Sequence, residues 1–572
     1  MSDVGEKNIQ TQTRLRYCHP YDIKMQANHA EHLEKRKLNQ LAPISRLCPE
    51  IFSNIFCQVR DSIRIPDPSV WAWRHARDCI GLITHVCHVW RDIAINTPAL
   101  WAKIFVSVDD DIEWVQEMLR RSKQCSLSVL VSKPPESALS ASEVVDPILN
   151  GLKNHIHRFH ELWLLDIPID DLRDFLSNSH THRLEHLHII PYHTSSDTSS
   201  ETSETSETPS AARFTLSDNV LRVDSLQHLS IEDCGIDFHA AFLRSLTYLE
   251  LVNIDEDCRL PCIEFVAVLA AIPGLEQLKL EGFLEENEVR GVGQDVTMIT
   301  KTHLHIKYLH LTCHILEEMI QFLWTVILPS SCKLRLHIWP EGPEIAIGFQ
   351  LINSWLSKHF QPAPSFRSFR SYLRSWRVEG GYIASDLGVT GFSDSELEGS
   401  HIGREFDKSL LSASVLLCHD SESEGELIDN IWLSFLKSLP LRNIVSWEVG
   451  RDDSTSLPDS VWVEIFATLK TLKTITIDSR SYATFFRVAS PDSNKSTALP
   501  FPALSSVTVK APCVKDYLSI VSSLDSRREA GLAPFNLVFY TDDINPHAIT
   551  QLRKSTLNVQ LHPWNISPST VI

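Results

Sequence analysis

One hexamer, apolar at its first, fourth and sixth positions, recurs along the 572 residues and limits the fold more than any other feature. Its copies are FHELWL (Phe159–Leu164), LEHLHI (Leu184–Ile189), LQHLSI (Leu226–Ile231), LTYLEL (Leu246–Leu251), LEQLKL (Leu275–Leu280), IKYLHL (Ile306–Leu311), LKTITI (Leu472–Ile477) and LSSVTV (Leu504–Val509). Positions four and six alternate as a strand with one buried face does, and position one leads the chain into it. The first six copies start 25, 42, 20, 29 and 31 residues apart. Helical patterns precede several of them, most clearly CIEFVAVLAAIP before LEQLKL and LIDNIWLSFLKSLP before LRNIVSWEV. A strand with one helix cannot bury its own apolar face, so the copies must stack on one another.

Composition narrows what such an array can do. Hydrophobic residues make up 43%, enough for a large core. There are 19 glycines, about half the usual share, which argues against Gly-rich phosphate loops. The net charge is −19, and it is uneven: residues 1–105 carry +4 and the remainder −23. An acidic body disfavours a nucleic-acid backbone as partner, because phosphate binding needs basic surface. Thirteen cysteines with no CxxC pair read as reduced thiols used as small apolar residues. MSDVGEKNIQ has no apolar core of a secretory signal, and apolar runs such as Phe265–Ile272 are too short to cross a bilayer. The expectation is a cytoplasmic or nuclear protein that does not engage a membrane.

The first hundred residues carry no hexamer. Residues 1–21 read as unstructured, and 22–40 as a charged, solvated helix with a weak stripe of Met25, His29, Leu33 and Leu38. In PEIFSNIFCQV, Ile51, Phe52, Ile55, Phe56 and Val59 share one helical face, and Pro49 suits the first turn. That helix is expected to end before IRIPDPSV. A second helix is expected over CIGLITHVCHVWRDIAI, with Ile80, Ile83, Val86, Cys87, Trp90, Ile93 and Ala94 on one side. Thr97 and Pro98 then punctuate, and Leu100 and Trp101 restart the apolar pattern.

The order of these residues resembles the F-box-like domain common in fungal F-box proteins. That pattern runs Leu-Pro-x-Glu-Ile, Ile-Phe, Val-Cys-x-x-Trp and a closing Thr-Pro-x-Leu-Trp. Leu47, Glu50, Ile51, Ile55, Phe56, Val86, Cys87, Trp90, Arg91, Thr97, Pro98, Leu100 and Trp101 match it. The position after Leu47, proline in the family, is Cys48, and residues 60–79 look like an insertion between the two helices. The strand–helix–strand pattern of KIFVSVDDDIEWVQEMLRRSKQCSLSVLVS, with its closing Arg121 and Ser122, continues the resemblance. The resemblance implies docking on a Skp-type adaptor, and through it on a cullin ubiquitin ligase. The implied adaptor-binding residues are Leu47, Pro49, Glu50, Ile51, Ile55, Phe56, Val86 and Trp90. Some of these must instead fill the unit's own core.

The hexamers resemble a leucine-rich repeat, loosely. Only LQHLSIEDC, ending at Cys234, has the standard Asn/Cys at its place; the other copies put Ile167, Tyr192, Ile254, Phe283 and His314 there. A solenoid without a continuous ladder of buried Asn is therefore expected. The fold class is α/β: a small all-α F-box-like unit, then an irregular leucine-rich-repeat-like α/β solenoid. Residues 1–40 would be a partly helical N-terminal extension, 41–105 the F-box-like domain and 106–572 the solenoid. Thr194–Ser210, with no aliphatic or aromatic residue, would be a disordered insertion, and 362–401 a loop-rich stretch. Between them, EMIQFLWTVILP and IGFQLINSWLSKHF read as helices and CKLRLHIWP as a strand. The rhythm returns at Ser412–Leu417, and FNLVFY and LNVQLHP would be the last strands.

Catalytic signatures are missing: no GxSxG, HExxH or GxxxxGK[ST] occurs. The 26 histidines crowd the repeats, but the second residue of several hexamers, and the fifth in LEHLHI and IKYLHL, would face solvent rather than converge on a metal. No catalytic residue, metal or cofactor is therefore expected. The reading is a non-catalytic substrate receptor whose solenoid holds an unidentified protein, basic rather than acidic by charge complementarity. An alternative, prompted by Cys48, is a repeat scaffold outside any ligase, in which the F-box-like unit only caps the solenoid.

Overall fold

Pro49 opens a helix where a ring-locked φ fits and a missing N–H costs no bond. The computed structural model describes residues 34–61, 70–107, 112–132, 142–177, 183–192, 214–284, 301–313, 316–338, 345–360, 368–377, 383–392, 411–419, 425–449, 462, 464–465, 469–478, 481–490, 501–510, 517–541, 544–556 and 558–563. They fall into two compact units, 1–160 and 161–572. The N-terminal extension up to residue 33 and the insertion 194–210 lie outside the described residues.

In the first unit, helical residues 34–41 (the described part of α1) and a 3-10 turn (Pro43–Arg46) lead to α2 (Pro49–Asp61). Two helices, α3 (Val70–Val86) and α4 (His88–Ile95), replace the single one expected over residues 79–95. Cys87 between them is extended, with φ −159° and ψ 170°. No proline or glycine marks this break, so helical periodicity runs through it unseen. Arg91 Nε donates back to the Thr84 carbonyl at 2.8 Å, fastening α4 to the last turn of α3. Because α3 starts at Val70, residues 70–79, read as insertion, are helical; 62–69 lie outside the described residues.

A 3-10 turn (Pro98–Trp101) then leads into β1 (Lys103–Ser107), α5 (Ile112–Arg121) and β2 (Leu127–Ser132), followed by α6 (Ser142–Lys153). β1 and β2 pair in parallel, the strand–helix–strand expected after Trp101. The junction expected at residue 105 lies inside this unit. The reason is Trp101, whose buried ring carries the Arg121 guanidinium at 4.3 Å and meets Trp114 edge-on at 6.1 Å.

In the second unit the hexamers set the backbone. Every first, fourth and sixth position of the hexamers is buried, none more than 4% exposed. β3 (Phe159–Pro168), α7 (Ile169–Leu176) and β4 (His186–Tyr192) come first, then the short β5 (Thr215–Leu216). β6 (His228–Glu232), β7 (Gly235–Ile236), β8 (Tyr248–Val252), α8 (Cys262–Ala270) and β9 (Gln277–Glu281) follow. Next are β10 (Thr302–His303), β11 (Tyr308–Cys313), α9 (Leu316–Thr325), β12 (Val326–Ile327), β13 (Lys333–Ile338) and α10 (Ile345–Phe360). β3, β4, β6, β8, β9, β11 and β13 pair in that order, all parallel; β5 pairs with β7 and β10 with β12.

The register is strict although the spacing is not. Leu162, Leu187, Leu229, Leu249, Leu278 and Leu309, each at position four, form one row. The link between repeats is a shared acceptor: the Gln227 carbonyl takes the N–H groups of Thr247 and Tyr248, that of Thr247 those of Glu276 and Gln277, and that of Glu276 those of Lys307 and Tyr308. Two residues past the hexamer the backbone turns left-handed, at Asp166 (φ 57°), Asp233 (53°), Asn253 (48°) and Gly282 (53°). Asp, Asn and Gly are the residues that reach this region at least cost. The standard Asn position holds buried Ile167, Cys234, Ile254 and Phe283, so apolar packing fills the place of an Asn ladder there.

Residues 362–401, expected to be loop-rich, contain two ten-residue strands, β14 (Ser368–Arg377) and β15 (Ile383–Phe392), joined to β16 (Leu411–His419). β16 lies parallel to β13, β15 antiparallel to both β16 and β14, and β14 parallel to β17 (Ser446–Val449). A three-strand meander thus replaces one repeat, and its Ser-, Gly- and Arg-containing strands lack the hexamer's aliphatic alternation. The array then resumes with α11 (Gly425–Ser438) before β17, and β18 (Thr474–Asp478), α12 (Ser481–Ala489), β19 (Ser506–Lys510), α13 (Tyr517–Glu529), β20 (Asn536–Tyr540), α14 (Pro546–Ser555) and β21 (Asn558–His562). These strands are parallel neighbours in sequence order. The protein is therefore mixed α/β with a large parallel sheet. No helix among the described residues is long and apolar enough to cross a membrane.

Candidate protein-docking surface

The apolar face of α2 divides. Phe52 and Phe56 turn inward and are 1–2% exposed. Trp90, brought over by the α3–α4 break, packs on both, with ring centroids 5.6 and 5.1 Å away. Trp73, Ile80 and Ile83 supply the core from α3. The closing Thr-Pro-x-Leu-Trp fastens the unit. The Thr97 hydroxyl donates to the Ile93 carbonyl at 2.7 Å and shares a 2.7 Å hydrogen bond with Ser53 on α2. Trp101 Nε1 donates to the Ala94 carbonyl at 2.8 Å. Arg60, at the end of α2, donates to the Leu100 carbonyl at 3.0 Å. These bonds tie the closing turn to both α2 and α4.

Of the eight expected contact residues, Leu47, Pro49, Glu50, Ile51 and Val86 are exposed, Ile55 and Trp90 half-buried, and Phe56 buried. Leu47 stands just before α2 and Ile51 in its first turn, and both are exposed. Glu50 sits beside Cys48, whose thiol hydrogen-bonds its carboxylate and, with the Glu50 backbone N–H, holds its pKa below the ordinary value. The Cys48 side chain thus favours the ionised glutamate, while its carbonyl accepts the Ile51 and Phe52 N–H groups.

Four further exposed apolar residues escaped sequence reasoning: Leu82 (69% exposed), Val89, Leu41 and Ile44. Leu82 and Val86 are one turn apart on α3, away from Ile80 and Ile83, and Val89 follows on α4. The available signal was that α3 carries aliphatic residues on both sides, more than one core needs. Most of the large apolar residues that stand exposed among the described residues, nine of thirteen, fall between Leu38 and Val89. Exposed apolar residues gathered in one stretch of a chain point to an interaction site there.

The second unit presents another surface, the sheet side bearing hexamer positions three and five. Rings stack along it: Trp163 on His188 at 4.3 Å, His186 on His228 at 4.2 Å, His228 on Tyr248 at 5.4 Å. Glu250 accepts from the Ser230 and Tyr248 hydroxyls at 2.8 and 2.9 Å and pairs with Lys279. Burial alone would raise the Glu250 pKa, but Lys279 and these hydroxyls together hold it below the usual range. His310, fifth in its hexamer, was expected to face solvent and is instead 9% exposed. Strand neighbours on either side, bearing Lys279 and Arg335, crowd over it, and His337 lies at 5.1 Å. Burial, then Arg335 and His337, push its pKa down to about 2, so it is neutral. The later strands differ: Ser446, Thr474, Ser506, Asn536 and Asn558 form one small polar row. No protein-family model matches the chain, and no curated protein matches it.

Proposed function

We propose that the chain is a substrate receptor of a Skp/cullin/F-box ubiquitin ligase, with its three-helix region docked on a Skp-type adaptor. The observation that carries this reading is the crowding of exposed aliphatic residues on α2, α3, α4 and the turn before them, around the F-box-like sequence order. Leu47, Pro49, Glu50, Ile51, Leu82, Val86 and Val89 make the contact; Phe56 shapes it from beneath, and Ile55 and Trp90 lie at the edge of the core. The parallel array of strict register and irregular spacing is an irregular leucine-rich-repeat-like solenoid, and it holds a protein client. The receptor forms and breaks no covalent bond. It raises the client's effective concentration beside a charged conjugating enzyme and orients it there.

Affinity capture of the full chain from its native cell tests this. Wild type should bring down the adaptor and cullin, and Ile51→Asp with Val86→Asp should lose both. A wild type that captures neither, or a double variant that captures both undiminished, defeats the reading.

A further inference from the structure

Residues 34–47, EKRKLNQLAPISRL, combine two properties. Four aliphatic residues recur every third position, Leu38, Leu41, Ile44 and Leu47, and all four are exposed. Leu38 and Leu41 are 62% and 75% exposed, and no residue of the segment is buried. The same segment carries Lys35, Arg36, Lys37 and Arg46 against the single acid Glu34, in a chain whose net charge is −19. Within the described residues, the helical stretch 34–41 has no buried side chain.

We propose that residues 34–47 are a basic, apolar arm that lies in an acidic groove of the same adaptor protein that α2–α4 engage. The inference rests on the docking reading above. Two observations choose the occupant. The arm runs without interruption into Leu47 and Ile51, so whatever covers those residues is within its reach. Its three adjacent bases repel a second copy of themselves and match a surface of opposite charge. The aliphatic row supplies contact area, and the bases speed encounter and fix direction along the groove.

The test is titration of the full chain against purified Skp-type adaptor, at low and at raised salt. Lys35→Glu/Arg36→Glu/Lys37→Glu should weaken binding about tenfold or more at low salt and remove most of its salt dependence. Leu38→Ser/Leu41→Ser should weaken it comparably at both salts. Neither variant touches a buried residue, so both should melt as wild type does. Arm variants that bind like wild type, while Ile51→Asp/Val86→Asp does not, overturn the arm and leave the docking reading standing. A wild type that does not bind overturns both. A wild-type dimer dispersed by Leu38→Ser/Leu41→Ser assigns the arm to a second copy, and arm-dependent binding to phosphatidylserine vesicles with unchanged adaptor affinity assigns it to a membrane; either result overturns the proposal.

Discussion

Single residues set the repeat's turn and its response to pH. Gly282 has φ 53°, and a Cβ there would stand 2.9 Å from Asn253 Oδ1, in the turn of the preceding repeat. Gly282→Val should destabilise the protein by about 1–3 kcal/mol, read as a lower urea midpoint. Asp166, Asp233 and Asn253 take the same conformation, so the turn was legible as an Asp/Asn/Gly eighth position that hexamer counting stops short of. His310 and His337 respond to acid. Burial and then Arg335 hold His337 down at about 4, and His310 is lower still. Both are neutral in the fold, whereas in the unfolded chain they take a proton near pH 6.5. The unfolded state therefore binds more protons below about pH 6.5, and stability falls with pH in that window. The loss approaches roughly 1.4 kcal/mol per pH unit for each histidine. For His337 it levels off near its folded pKa. Denaturant midpoints from pH 7 to 4.5 should show this slope, and His337→Gln should reduce it.

At the level of elements, α2 separates two kinds of apolar residue that look alike in the sequence. Phe56→Ala should cost about 3–5 kcal/mol, because it opens a cavity under Trp90. Ile51→Asp should shift stability by only about 0.5 kcal/mol, since its side chain already meets water. Thermal melts of the two variants compare them directly, and equal losses would contradict this assignment. A buried cation joins the late repeats. Arg527 on α13 is 2% exposed, its guanidinium donates to the Ala489 carbonyl at 3.3 Å and the Phe501 carbonyl at 3.1 Å, and burial lowers its pKa to about 10. It caps the end of α12, where helix carbonyls favour positive charge. Arg527→Met should cost roughly 1–3 kcal/mol for each carbonyl left without a donor, visible as earlier urea unfolding. The strands of each hexamer, helices such as α8 and α11, and the last two strands were legible because one face repeats. The α3–α4 break and the β14–β15 pair were not, since Cys87 is no helix breaker by type and the meander follows a different alternation.

For the whole molecule, the proposed function assigns docking and client capture to different units. If that division holds, Ile51→Asp/Val86→Asp should lose the adaptor yet keep every client that wild type retains after crosslinking and mass spectrometry. Joint loss of adaptor and clients would argue against separate surfaces. What the linear chain determined by itself was periodic: which positions are apolar, hence which strands recur, and where a small basic segment precedes an acidic body. Periodicity fixes a face because backbone geometry is local. What only tertiary structure decided was which apolar residues are spare. Ile51 and Phe52 are adjacent and both aliphatic or aromatic, yet one meets solvent and the other the core. The choice depends on where the chain turns at Cys87 and delivers Trp90. His310 became buried for the same kind of reason: strands distant in sequence crowd long side chains over it, and no local pattern records their arrival.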